Sequence, residues 1–233
     1  MRHWLLNDAR RLDKERMPQL AQRYAALALP RGEKPTSPLP TAGLRVDEAA
    51  RRAVLERLGL DRGKPAAALC PGAEFGPAKR WPTRYFAELA QGLAAHGCAV
   101  WLIGSKNDHA IGAEIERAAG GVCRNLCGDT TLEEAIDLLA SCALVVSNDS
   151  GLMHVAAALG RPLVAHYGSS SPAYTPPLSS SARILKLDLP CSPCFQRECP
   201  LGHFNCMMQL APDRVLAAID FDRISQSAAP PPR

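Results

Sequence analysis

Two hydrophobic periods take turns along this chain. Short continuous apolar runs at Ala66–Cys70, Ala99–Ile103, 143–147 and 162–167, with a weaker one at 183–187, read as buried strands. Between them the spacing turns helical. Phe86, Leu89, Ala90 and Leu93 recur at i, i+3, i+4 and i+7, and Leu132, Ala135, Ile136 and Leu139 mark a second face behind Thr131 as N-cap. Ile111 to Ala119, residues 151–159 and Asp47 to Leu58 complete the helical patterns. This alternation predicts an α/β fold, a Rossmann-like open parallel sheet with helices on both faces. Ligands in such sheets sit beyond the carboxyl ends of the strands, where the polar motifs below fall.

The rhythm fails at both ends. Leu and Ala recur at loosely helical spacing over residues 4–29, with Met17-Pro18 as an interruption. Residues 30–43 hold Pro30, Pro35, Pro38, Pro40 and two glycines, the composition of a linker. The organisation expected is a leading segment at 1–43, one domain at 44–222, and a proline-rich frayed tail at 223–233.

Composition adds little beyond charge. The 233 residues are 47% hydrophobic and 5% aromatic, too few rings for a base-stacking platform, so no nucleic acid partner is expected. The net charge is +4, and residues 1–34 hold eight Lys/Arg against four Asp/Glu, leaving 19 of each sign elsewhere. That front reads as a solvated basic surface or as a face for anionic lipid or lipid-linked phosphate. No run reaches the ~18 apolar residues of a membrane span, and Met1-Arg2-His3-Trp4 leads into Asn7-Asp8-Ala9-Arg10 with no apolar signal core. A cytoplasmic location follows as the expectation, with the nine cysteines as thiols.

Four polar constellations carry candidate chemistry. Ser147-Asn148-Asp149-Ser150-Gly151-Leu152-Met153-His154 empties a strand into a turn that opens a helix, aiming free N–H groups at an anion. Ser150 and His154 share a helix face; taken singly, Asp149 and His154 also read as a helix cap and a half-buried histidine. Pro71-Gly-Ala-Glu-Phe-Gly-Pro-Ala-Lys-Arg-Trp-Pro82 follows the first strand. Gly72 and Gly76 permit close backbone approach, and Lys79 and Arg80 can neutralise phosphate. It is not a Walker loop, because Lys79 lacks the flanking Gly and Ser/Thr, and a surface loop with two solvated cations is the alternative. His166-Tyr167-Gly168-Ser169-Ser170-Ser171 reads as a hydroxyl-rich site or an ordinary turn. Cys191, Cys194, Cys199 and Cys206 stand at C-x2-C-x4-C-x6-C spacing, with His203 among them. A structural zinc is conceivable there, but the second pair of a zinc pattern is missing and reduced thiols packing a loop are favoured. No G-x-G-x-x-G follows a strand, which argues against NAD, and G-x-S-x-G and H-E-x-x-H are absent.

Together these residues resemble glycosyltransferase family 9. The resemblance rests on the 71–82 block, on Asn148-Asp-Ser-Gly-Leu-Met-His-Val-Ala-Ala-Ala-Leu159 with Arg161-Pro-Leu-Val, on Tyr167-Gly, Ser171-Pro and Thr175-Pro-Pro-Leu178, and on the Cys191 to His203 segment. It implies a GT-B architecture, of which this chain is the carboxyl-terminal half, with a remnant of the acceptor domain and a proline-rich linker at 1–43 and the donor-binding domain at 44–222. It implies inverting, metal-independent transfer of heptose from ADP-L-glycero-D-manno-heptose to the inner-core heptose of lipopolysaccharide, with a lipid A-core acceptor and peripheral contact with the inner membrane. No cofactor and no metal ligand is implied. By the same resemblance Lys79 and Asp149 are the catalytic pair. Gly72, Ala73, Glu74, Lys79, Gly104, Thr130, Asp149, Ser150, Gly151 and His154 bind the donor, with Thr130 near the adenine. Lys106 stands where a related enzyme has an acid that holds ribose. Family members extend further at the front, where they carry the Asp general base. This chain is therefore expected to bind ADP or ADP-heptose and, alone, to transfer heptose poorly or not at all. A nucleotide-binding remnant without transferase activity and another GT-B nucleotide-sugar enzyme, such as an epimerase, are the alternative readings.

Overall fold

The computed structural model describes residues 5–60 and 63–227. Six strands form one parallel sheet: β1 (Ala66–Cys70), β2 (Ala99–Leu102), β3 (Cys123–Asn125), β4 (Leu144–Asn148), β5 (Leu163–Tyr167) and β6 (Ala182–Lys186), in the order β3-β2-β1-β4-β5-β6. The order reverses between β1 and β4, which pair from Ala67↔Leu144 to Cys70↔Ser147. That switch point is where an open α/β sheet leaves a crevice at its carboxyl edge.

Alternate residues of each strand feed two cores. Ala67, Leu69, Val100, Leu102, Val146 and Val164 face one side, covered by α3 (Thr83–Ala95), α4 (His109–Ala118), α7 (Asn205–Met208), α8 (Pro212–Leu216) and α9 (Phe221–Ser227). Ala66, Ala68, Cys70, Trp101, Val145 and Ala165 face the other, covered by α2 (Glu48–Arg57), α5 (Leu132–Ala140) and α6 (Gly151–Ala158). The all-apolar strands are buried on both faces, the reason their sequences run without polar alternation. Two helix starts are set by side chains: Asp47 accepts from the Ala49 and Ala50 N–H groups, and Thr131 exchanges bonds with Glu134 in a capping box.

Three expectations change. Among the described residues of the leading segment the helical elements, α1 (Leu20–Ala25) and a 3-10 turn at Ala26–Ala28, follow Pro18, whose missing N–H interrupts the backbone bonding of the residues before it. It rests on the domain through the Leu20 N–H donated to the Tyr174 carbonyl and the Arg23 guanidinium 4.8 Å over the Tyr174 ring. Strand β3 was not foreseen. The tail placed at 223–233 begins too early, since α9 runs to Ser227 and buries Ile224 in the core. Residues 228–233, like Met1 to Trp4, lie outside the described residues.

Candidate functional site

A cleft of about 560 Å³ opens at the switch point, within the usual size of a small-molecule site. Its walls come from the ends of β1, β2 and β4. Gly72, Ala73 and Glu74 follow β1; Ile103, Gly104, Ser105, Lys106 and Asp108 follow β2; Ser150, Gly151, Leu152 and Val155 open α6; Thr130, Thr131 and Leu132 open α5. Seven of the expected residues thus line one cavity: Gly72, Ala73, Glu74, Gly104, Thr130, Ser150 and Gly151.

Two of those glycines are dictated by a carboxylate. Asp108, 9% exposed, receives the Ser105 N–H at 2.9 Å and the Ser105 hydroxyl at 2.7 Å on Oδ2, closing a one-turn capping box. A Cβ on Gly72 would fall 2.5 Å from Asp108 Oδ2, and one on Gly104 3.0 Å from its Cβ. Glycine there lets two loops close on one buried acid.

Lys79, Asp149 and His154 stand beside the cleft rather than in its walls. The Lys79 ammonium donates to Asp149 Oδ2 at 2.6 Å and lies 5.1 Å from the Phe75 ring. Asp149 is 4% exposed, at the turn between β4 and α6. One turn on, exposed His154 has its pKa lowered by loss of hydration, with the Asp149 carboxylate opposing that shift and Lys79 adding to it. The three groups therefore form one electrostatic cluster at the mouth of the cleft. α6 opens there without a side-chain cap, so its first N–H groups remain free for an anion.

The loop carrying Lys79 is held from beneath. Asn148, fully buried, accepts the Trp81 N–H at 3.1 Å and donates to the Pro71 carbonyl at 2.8 Å. On its outer side the Ala78 N–H donates to the Arg197 carbonyl at 3.0 Å, and a Cβ on Gly76 would fall 2.5 Å from that same oxygen. The Cys191 to Cys206 segment thus braces the Lys79 loop.

Several residues were not singled out from sequence. Ser105, Asp108 and Val155 line the cleft, and Thr131, expected only as a helix cap, lines it as well. The first two are readable, since Ser105-Lys-Asn-Asp108 is a capping-box pattern at a strand end. Leu132 was assigned to a core-facing stripe, yet it is 62% exposed at the cleft, while Ala135, Leu138 and Leu139 form the buried face.

The remaining motifs lie apart from the cleft walls. His166 is buried with its ring 4.6 Å from Trp81, and burial pushes its pKa down to about 3. Ser169 and Ser170 are buried, and Ser171 accepts the Ala173 N–H in a local turn. Cys191, Cys194, Cys199 and Cys206 are free, partly buried thiols. The Cys206 thiol is pushed up by burial first and then by the charges of Cys194, Cys199 and Cys191. No group of three or more His, Cys, Asp or Glu among the described residues is arranged to hold a metal ion. No helix among the described residues is long and apolar enough to cross a membrane.

Comparison with known proteins identifies the family. The profile of glycosyltransferase family 9 (heptosyltransferase) matches residues 1–205. The chain is 44% identical over 229 residues to lipopolysaccharide heptosyltransferase 2 of Escherichia coli K12, covering 94% of this chain and 66% of that protein. It is 45% identical over 225 residues to the enzyme of the same name from Salmonella typhimurium, covering 93% and 65% respectively. It spans just under two thirds of the length of these curated relatives. The solved structure of the E. coli ADP-heptose lipopolysaccharide heptosyltransferase II superposes with a TM-score of 0.84 at 43% identity, over 98% of this chain and 69% of that one. A family 9 glycosyltransferase from Veillonella parvula, 21% identical, shares the fold with a TM-score of 0.64 over 82% of this chain and 56% of that one. This chain belongs to glycosyltransferase family 9, and its sheet is a Rossmann-like unit of the GT-B architecture.

Proposed function

We propose that this family 9 chain binds ADP-L-glycero-D-manno-heptose in the switch-point cleft and serves inverting transfer of the heptose to the inner-core heptose of lipopolysaccharide. One observation carries the reading. A loop cation, Lys79, and the free N-terminus of α6 converge beside a cleft that Gly72, Gly104 and Gly151 help to line. A nucleoside diphosphate needs that combination: close backbone approach, a fixed cation, and N–H groups aimed at phosphate.

In this reading the adenosine fills the cleft between Ile103, Thr130 and Leu132, and the diphosphate passes over Gly72, Gly151 and Lys79. Negative charge grows on the diphosphate as the sugar bond breaks. Lys79 and the helix end stabilise it there without needing to rearrange. Asp149 holds the ammonium in place and, with Ser150 and His154, faces the heptose. The acceptor is the lipid A-core, reached at the cytoplasmic face of the inner membrane.

A second reading, donor binding without transfer, draws on a different observation. Both buried carboxylates at the cleft are committed, Asp149 to Lys79 and Asp108 to Ser105, so neither is free to take the acceptor's proton. Incubation of the purified chain with ADP-heptose and a heptose-acceptor lipid, followed by mass spectrometry of the lipid, separates the two. A mass gain of one heptose supports transfer. Binding of ADP-heptose without that gain supports the second reading.

A further inference from the structure

Lys79 reaches Asp149 from the loop that runs between Pro71 and Trp81. The two ends of that loop are tied to a single side chain. Asn148 is the last residue of β4 and has no exposed surface. Its amide orientation is fixed by its partners. The Trp81 N–H can only donate, so the oxygen faces it at 3.1 Å; the Pro71 carbonyl can only accept, so the NH2 group faces it at 2.8 Å. Trp81 itself does not swing, because its indole N–H donates to the Leu210 carbonyl at 2.8 Å and its ring packs on Phe86 and His166. The next residue after Asn148 is the partner of Lys79.

We propose that Asn148 is a positioning residue of this site: its side-chain amide pins both ends of the 71–81 loop to β4, inside the brace that Arg197 gives its outer side, and so holds the Lys79 ammonium over Asp149, where the diphosphate is bound. The inference rests on the donor-binding reading for its consequence, while its geometry stands apart from any ligand. An unpaired buried amide group is costly, so the clamp fails in a specific direction. With one partner removed, the loop end it held is released.

The test reads Lys79 directly. Wild type, Asn148→Ala and Asn148→Asp are treated with limiting acetic anhydride, and acetylation of each lysine is quantified by mass spectrometry. Asn148→Ala is expected to raise the Lys79 rate about ten-fold, because local opening exposes a paired amine that the folded loop protects, with Lys64 and Lys186 unchanged. Asn148→Asp keeps the acceptor for Trp81 and loses the donor to Pro71, so it falls between; it also serves if the alanine variant does not fold. Asp149→Asn, which removes the partner, gives the rate of a released Lys79. Calorimetry with ADP then closes a double-mutant cycle. Asn148→Ala weakens ADP about ten-fold in the wild-type chain and not in Lys79→Met, the non-additivity expected of residues acting as one unit. Unchanged Lys79 acetylation, or a parallel rise at every lysine, overturns the proposal. Failure of the wild-type chain to bind ADP sinks the donor reading instead, and the acetylation pattern still judges the clamp.

Discussion

Lys79 Nζ lies 2.6 Å from Asp149 Oδ2, joining two loops that leave neighbouring strands 70 positions apart. The pair is buried on the acid side: Asp149 is 4% exposed and the Lys79 side chain 16%. An ion pair of this kind is worth little until one partner is taken away, which leaves an uncompensated charge out of water.

Lys79→Met therefore has two expected effects. Stability falls by about 3 kcal/mol, the cost of stranding a buried carboxylate, seen as a lower urea midpoint. Affinity for ADP falls at least ten-fold, because the fixed cation for the diphosphate is lost. Lys79→Met/Asp149→Asn, which removes both charges, regains most of the stability and none of the affinity. Recovery of ADP binding in that double variant would show that Lys79 does not touch the diphosphate.

Two glycines of the cleft part company. Gly72→Ala places a methyl 2.5 Å from Asp108 Oδ2 and costs about 1–3 kcal/mol as overpacking against a buried acid. Gly151 has nothing within 4 Å of an added Cβ, so Gly151→Ala at the start of α6 changes stability by less than about 1 kcal/mol. Both narrow the donor path and weaken ADP. Thermal melts and ADP titrations of the two variants check the contrast; equal melting temperatures would contradict it.

His166 supplies a pH dependence. Burial lowers its pKa from 6.5 to about 3, so the folded protein keeps the ring neutral while the unfolded chain protonates near 6.5. Between those values the unfolded state binds the extra proton. This stability is fully present above pH 6.5 and drains as the pH falls toward 3, by up to about 1.4 kcal/mol per pH unit from this residue. His166→Phe flattens the slope. Denaturant midpoints of both proteins at pH 7.5 and 5 measure it, and identical losses would exclude His166 as the cause.

Much of the fold was legible because its signals are local. Thr131 announced its helix as a cap, and the all-apolar strands could only be buried ones. Strand β3 was illegible for the converse reason: Cys-Arg-Asn carries one apolar residue, and only pairing with Val100 to Leu102 makes it a strand. Leu132 fitted a core stripe by spacing, but the helix N-terminus lifts it clear of the sheet to the cleft. The site was legible as motifs and not as an assembly. No periodicity brings Lys79 to Asp149, or explains why Gly72 must be glycine; that follows only once Asp108 is seen packed against it.

The cleft's affinity for ADP is the most direct measurement. Calorimetry on the 233-residue chain with ADP, and with UDP and GDP as competitors, is expected to give saturable one-to-one binding that prefers ADP and weakens at least ten-fold in Lys79→Met. No binding, equal binding of all three nucleotides, or an affinity indifferent to Lys79 would contradict the account.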